Sequence, residues 1–131
     1  MSASHADVVE GVRATLHTYV QALDDGRTDD IVATFVPDGV FDSAAVGRFE
    51  GHDALRSAYD SWTPTRPQRH LVLNTVLTSW TDDSAEAVSD VVFLLKGSDG
   101  WATLLVGRYH DTLRNDDDAW RFVERVATFL D

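Results

Sequence analysis

From Gln68 onward the chain is four β-prone stretches with almost nothing between them: Gln68–Thr81, Ala85–Lys96, Trp101–Arg114 and Ala119–Leu130. The joints are Asp82-Asp83-Ser84, Gly97-Ser98-Asp99-Gly100 and Asn115-Asp116-Asp117-Asp118, all polar and rich in turn formers. Connections this short leave no room for a crossover, so neighbouring strands must run antiparallel as a meander. Before Gln68 the pattern is helical instead. Val8, Val9, Val12, Leu16, Tyr19, Val20 and Leu23 recur at helical spacing, which predicts a helix from about Ala6 to Asp25. Ser4 and Asp7 make a capping-box-like start, and Gly26 is a natural stop. Thr28, Asp29 and Asp30 predict the cap and acidic first turn of a short helix over Ile31 to Phe35, ended by Pro37-Asp38-Gly39. Val40–Ala45 and Arg48–Glu50 are expected as short strands. His52 to Trp62 is expected as a third helix, broken by Thr63-Pro64-Thr65-Arg66-Pro67. Helices first and strands later imply an α+β domain, a curved sheet of long strands over three N-terminal helices. The length of 131 residues suits a single domain over 1–131.

Charge narrows the partners. There are 11 basic and 22 acidic side chains, a formal charge of -11. That disfavours a nucleic-acid backbone and an anionic membrane surface, both of which need a cationic face. No apolar run approaches the ~20 residues of a membrane span. The start, Met1 to Asp7, has neither a basic nor an apolar leader region, so a cytoplasmic protein is expected. Without cysteine there is no disulfide framework and no thiolate nucleophile. The expected ligand is a small molecule or a protein. Both faces of the sheet read as apolar: Val88, Val92 and Leu94 alternate with Val91, Phe93 and Leu95. Helices cover one face. A second copy of the chain is the simplest cover for the other, and a C-terminal strand wrapping within one chain is the alternative.

Strand pairing tests which polar residues converge. A two-residue hairpin at Gly97–Gly100 would set Asp90 opposite Gly107, with Tyr109 diagonally beside it. An even register at the Asp82–Ser84 turn would bring His70 onto the same face, gathering His70, Asn74, Asp90, Gly107 and Tyr109 among Val72, Val88, Val92 and Leu94. A slip of one residue would reverse this. A mostly apolar concavity holding a few polar groups is what a small-molecule pocket requires. Gly107 would leave floor space in it, and Asp24, near the end of the first helix, could reach its rim.

His70 is the candidate for proton transfer, since an imidazole takes and returns a proton near neutral pH. A carboxylate on one ring nitrogen would fix the tautomer and raise the basicity of the other. Asp24 is the first candidate for that partner and Asp90 the second. A buried structural histidine is the plainer reading of His70, a salt bridge to arginine that of Asp90, and core aromatics that of Tyr109 and Trp62. The five histidines form no His-x-His or His-Glu-x-x-His set, so no metal is expected. Arg108, Arg121 and Arg125 are expected to pair with acids at the surface or a dimer contact.

Several segments together resemble the SnoaL-like proteins of the nuclear transport factor 2-like (cystatin-like α+β barrel) superfamily. They are Tyr19–Asp24, Phe35–Phe41, Gly51–Leu55, Arg69–Asn74, Gly107–Asp111, Ala119–Phe122 and Arg125, in that order along nearly the whole chain. The nearest subgroup is similar to scytalone dehydratase-like and bile-acid dehydratase-like proteins and to ring-hydroxylating dioxygenase small subunits. The resemblance implies a cone-shaped barrel with a ligand cavity between sheet and helices. It also implies cofactor-free acid–base chemistry by a His–Asp pair, which falls here on His70 and Asp24. The expected activity is that of a lyase, isomerase or cyclase on a hydrophobic carbonyl compound, polyketide- or steroid-like. Tyr109 would donate to the enolate oxygen. Asp90, Asn74, Trp62, Phe41, Val72 and Val92 would contact substrate. The alternative is a non-catalytic binding or accessory subunit of the same fold.

Overall fold

The structure, a computed structural model, describes residues 2–130. Helix α1 (His5–Asp25) begins at a full capping box: Ser4 Oγ accepts from the Asp7 amide, and the Asp7 carboxylate accepts from the Ser4 amide, each at 3.1 Å. It ends at Gly26, whose φ of 70° is the left-handed turn glycine adopts freely. Val8, Val12, Leu16, Tyr19, Val20 and Leu23 form its buried stripe. Helix α2 (Thr28–Ala33) starts and stops earlier than its sequence suggests, and strand β1 (Phe35–Ser43) runs straight through Pro37-Asp38-Gly39. That tripeptide is a bulged interruption inside the strand rather than a helix end, because Phe35 pairs with Phe122 before it and Val40 with Glu124 after it. Strand β2 (Gly47–Glu50) and helix α3 (His52–Ser61) follow. The meander is β3 (Gln68–Trp80), β4 (Ser84–Gly97), β5 (Gly100–Asp116) and β6 (Ala119–Phe129).

The six strands make one sheet in the order β2-β1-β6-β5-β4-β3. All pairs are antiparallel except β1 with β6, which the intervening α3 and the meander allow to run parallel. The helices pack on one face, so the core lies between α1, α3 and the inner sides of β1, β4, β5 and β6.

Bulges curve the sheet and decide which residues face inward. The turn at Gly97–Gly100 has the expected register, but Leu104 is an extra residue, so Phe93 pairs with Leu105 and Asp90 with Arg108. In β3 the two residues Asn74 and Thr75 oppose Ser89 alone, and Asn74 takes the left-handed φ of 58° this requires. In β6 Val123 is extra, between the pairs Leu113–Phe122 and Thr112–Glu124. The outer face of β3 to β5 stays uncovered in the single chain, with Leu71, Leu73, Val76, Trp101, Leu104 and Val106 all exposed. Among the described residues no helix is long and apolar enough to cross a membrane.

Candidate active site

The last turn of α1 and the first residues of β3 meet at the open end of the barrel. Gln68 and His70 are two apart on one strand and therefore share its inner face. Asp24 reaches them from α1. Its Oδ1 lies 2.6 Å from His70 Nδ1 and accepts from Gln68 Nε2 at 3.2 Å, and its Oδ2 accepts from the His70 amide at 2.7 Å. Three hydrogen bonds fix the carboxylate in rotation. An ionised carboxylate only accepts, so Nδ1 carries the imidazole proton and Nε2 is left free as a base. The Asp24 side chain is 6% exposed and that of His70 16%. The imidazole stacks on Phe93, its cross-strand neighbour, with ring centres 4.3 Å apart.

His70 forms part of the wall of a cavity of about 260 Å³. Phe41, Trp62, Phe93, Leu105 and Phe129 supply most of its apolar surface, and Ser43, Gln68, Tyr19, Tyr59 and Tyr109 its other polar atoms. The Tyr19 and Tyr59 hydroxyls share a hydrogen bond of 2.5 Å. Burial raises the ionisation of both phenols above the ordinary range, and that of Tyr109 too, so all three are protonated donors at neutral pH. A larger groove of about 480 Å³ lies outside the barrel along α1, α2 and the start of β6. Its charged groups are Arg27, ion-paired with Asp30, and Asp118 and Arg121, and it has no imidazole to move a proton, so the smaller cavity is the place for chemistry. Among the described residues no three His, Asp or Glu side chains converge as metal-ion donors.

Beneath the cavity floor lies a buried ion pair. Asp111 and Arg125 are direct cross-strand partners with side chains 0% exposed, joined by bonds of 2.9 and 3.2 Å. Burial raises the Asp111 carboxyl above its ordinary range while Arg125 pulls it down. Burial works most strongly against the Arg125 charge, but the Asp111 carboxylate and the Tyr109 and Tyr19 phenols together outweigh it and the guanidinium stays protonated. These pulls favour opposite states of Asp111. The ion pair wins, because a neutral Asp111 would leave a lone guanidinium in the core. The guanidinium carbon lies 3.5 Å from the ring centre of Tyr109, 4.4 Å from that of Tyr19 and 4.5 Å from that of Phe122.

His70, Tyr109, Phe41 and Trp62 thus lie on the cavity wall, with Asp24 directly behind His70. Asp90, Asn74 and Val92 do not. The Asp82–Ser84 hairpin has an odd register, His70 opposite Phe93, which puts Asp90 on the outer face, away from His70. The extra residue at Leu104 sets Arg108 opposite Asp90 in place of Gly107, and there Asp90 takes Arg108 at 3.1 Å and Asn74 at 2.8 Å. The bulge at Asn74 carries that side chain outward too, and Val92 lies on the outer side between Leu71 and Val106. Asp90 is therefore neither the partner of His70 nor a substrate contact from within the cavity. Val72 faces inward and packs on the core beside the cavity without entering its wall. Gly107 is not an open floor: a Cβ there would meet the Thr128 carbonyl at 2.4 Å, so the glycine serves the close approach of β6. Arg125 is in the core rather than at the surface. Sequence reasoning passed over Gln68, Tyr19, Tyr59 and Arg125. Gln68 was findable, two residues before His70. Arg125 was not, since only the extra residue at Val123 turns it inward.

Helices on one face of a curved six-stranded sheet, with a cavity between them, define the cystatin-like, or nuclear transport factor 2-like, α+β class. Within it the chain belongs to the SnoaL-like domain family, whose profile matches residues 4–126. Similar solved structures include Rv3472 of Mycobacterium tuberculosis, a protein of unknown function. It is 24% identical, with a TM-score of 0.86, over 93% of this chain and 71% of that one. A Novosphingobium aromaticivorans protein provisionally named a scytalone dehydratase is 22% identical, with a TM-score of 0.83, over 94% of this chain and 84% of its own. The beta subunit of a provisionally assigned aromatic-ring-hydroxylating dioxygenase from the same organism is 21% identical, with a TM-score of 0.84, over 96% of this chain and 92% of its own. No curated protein matches at a significant level.

Proposed function

We propose that the protein is a cofactor-free enzyme that moves a proton on a small hydrophobic carbonyl compound, as a lyase, isomerase or cyclase. The observation that carries this reading is the 2.6 Å contact of His70 Nδ1 with an almost fully buried Asp24, in the wall of an aromatic cavity. His70 Nε2 removes a proton from the carbon next to the carbonyl. The electron pair moves into the C–C bond and onto oxygen, giving an enolate, and Asp24 stabilises the imidazolium that forms. The Tyr109 hydroxyl donates to the enolate oxygen, the interaction that supplies much of the rate in such reactions. The imidazolium then returns its proton: to another carbon in isomerisation; to the alkoxide oxygen formed when the enolate carbon attacks a second carbonyl in ring closure; or to a β-hydroxyl that leaves as water in elimination. A cavity of about 150 Å³ holds a benzene ring. The 260 Å³ here therefore suits one or two rings, and a larger polyketide- or steroid-like ligand would extend through the mouth.

Turnover of candidate cyclic β-hydroxyketones and enones, followed by proton NMR in deuterated water, tests this reading. Wild-type protein should exchange or eliminate at the position next to the carbonyl, and His70→Ala should not. Retained activity in His70→Ala would remove the imidazole from the mechanism. The accessory-subunit reading rests on the likeness to the dioxygenase beta subunit and on the uncovered apolar sheet face. It predicts that no such substrate turns over. In either case that face is suited to a second copy of the chain, and a cysteine-free, acidic chain suits the cytoplasm.

A further inference from the structure

Arg125 is the largest fully buried side chain of the protein, and the chemistry assigned to His70 and Asp24 does not use it. It does not reach the cavity wall. Its Nε and Nη2 are bound to Asp111, but Nη1 is buried with no hydrogen-bond partner. A guanidinium is held there at the expense of one unsatisfied donor, in a core where an apolar side chain of similar volume would pack without that loss. What it touches instead is the underside of the aromatic floor. Its guanidinium carbon lies over the rings of Tyr109 and Tyr19, which stand nearly perpendicular to each other, and both tyrosines also line the cavity.

We propose that Arg125 is a positioning residue that makes the phenols of Tyr109 and Tyr19 an anion-stabilising floor, so that the cavity holds its ligand as an enolic or phenolic oxyanion in preference to the neutral form. This rests on the reading of the cavity as a proton-transfer site and adds to it the charge state of the bound ligand. A cation against the face of a phenol draws electron density from the ring and makes its hydroxyl a stronger donor. In a site shielded from water this effect is large. Burial raises the ionisation of Tyr19 most, and against it Arg125 lowers it more than Asp111 raises it. The charged and titratable groups around the bound oxygen are Asp24 on α1, His70 on β3, Tyr19 on α1, Tyr59 on α3, Tyr109 and Asp111 on β5, and Arg125 on β6. Asp24 and Asp111 oppose an anion; the imidazole hydrogen bond of Asp24 and the ion pair of Asp111 with Arg125 reduce that opposition. The guanidinium is the one permanent cation among these groups.

The probe is 4-nitrophenol, whose absorbance separates phenol from phenolate, with nitrobenzene as a non-ionisable control of the same shape. Wild-type protein should bind 4-nitrophenol with the phenolate enriched relative to free solution at the same pH. Replacing the pair together, Arg125→Met with Asp111→Leu, removes both charges without stranding either. It should leave nitrobenzene affinity intact and reduce the phenolate preference roughly tenfold. Tyr109→Phe, which leaves the ion pair in place, should reduce it as well. An unchanged preference in either variant overturns the proposal, as does a loss of nitrobenzene binding in step with it. Failure of the wild-type protein to enrich the phenolate overturns it too. His70→Ala separates the two readings. Phenolate enrichment that persists there, with turnover abolished, is the expected result. Enrichment that vanishes there means an imidazolium, not the arginine-backed floor, holds the anion. Turnover that persists with the enrichment intact refutes the role of His70 alone.

Discussion

At Asp24 one carboxylate satisfies three donors and orients the one imidazole that, among the described residues, lines the cavity. Asp24→Asn keeps the shape but can present its amide N–H to Nδ1, which favours the wrong tautomer. The turnover rate should fall on the order of 10²–10⁴-fold, with the folded state retained by circular dichroism. Arg125 shows the other way a single residue matters here. Arg125→Ala alone leaves the Asp111 carboxylate buried without its partner, and chemical denaturation should show a loss of about 3–5 kcal/mol. Removing Asp111 in the same chain should recover much of that loss, because an uncompensated charge, rather than the absent bond, is what destabilises. The Asp90 carboxyl is held below its ordinary range, chiefly by the Asn74 amide and then by Arg108. A carboxylate with a lowered folded value contributes stability above its unfolded value and loses it as the pH falls through the folded one. Asp90→Asn should therefore flatten the acid limb of the stability curve below about pH 4 and leave neutral activity alone, since Asp90 lies on the outer face.

The elements are shaped by a few terminal and contact residues. The Ser4–Asp7 box ties down the N-terminus of α1, and Ser4→Ala should destabilise by about 1 kcal/mol in thermal melts. Farther along the same helix, Gly11 lies against Trp120, where a Cβ would come within 2.3 Å of the indole. This contact and the Thr15 hydroxyl on the Trp120 carbonyl, at 2.6 Å, fix the helix over the start of β6. At the other end, Gly107→Ala would push against the Thr128 backbone and displace Phe129, which forms part of the cavity wall. Thermal stability and ligand affinity should fall together in that variant, by contrast with Asp90→Asn, where ligand affinity at neutral pH should not change. The bulges at Asn74, Leu104 and Val123 act at the same scale. Each adds one residue, bends its strand, and exchanges the inner and outer sets beyond it.

For the molecule as a whole, the helices cover one side of the sheet and leave the other apolar. Leu71, Leu73, Val76, Leu104 and Val106 form a surface with Asp90 and Arg108 among them. An apolar face of this kind is a site of association. Sedimentation at micromolar concentration should show a dimer, and Val106→Asp should shift it to monomer while preserving the circular dichroism spectrum. A monomer in the wild type would rule out self-association as the cover of this face.

The strand count, the antiparallel meander, the capped first helix and the α+β layering were legible in local signals, because turn chemistry and hydrophobic period act over a few residues. The pairing of His70 with Asp24 was legible only as a candidate: one residue ends a helix, the other opens a strand, and their meeting depends on how α1 lies across the sheet. The inward or outward direction of Asp90, Asn74 and Arg125 was not legible at all. Side chains alternate with a period of two, so a bulged residue, as at Asn74 and before Arg125, or a hairpin register shifted by one, as between His70 and Asp90, reverses every assignment after it, and the energy that selects either comes from packing against distant partners. Composition and pattern thus determined the layers and the order of the strands. Tertiary packing decided which polar groups those layers enclose, because burial belongs to the assembled sheet and not to any segment of it.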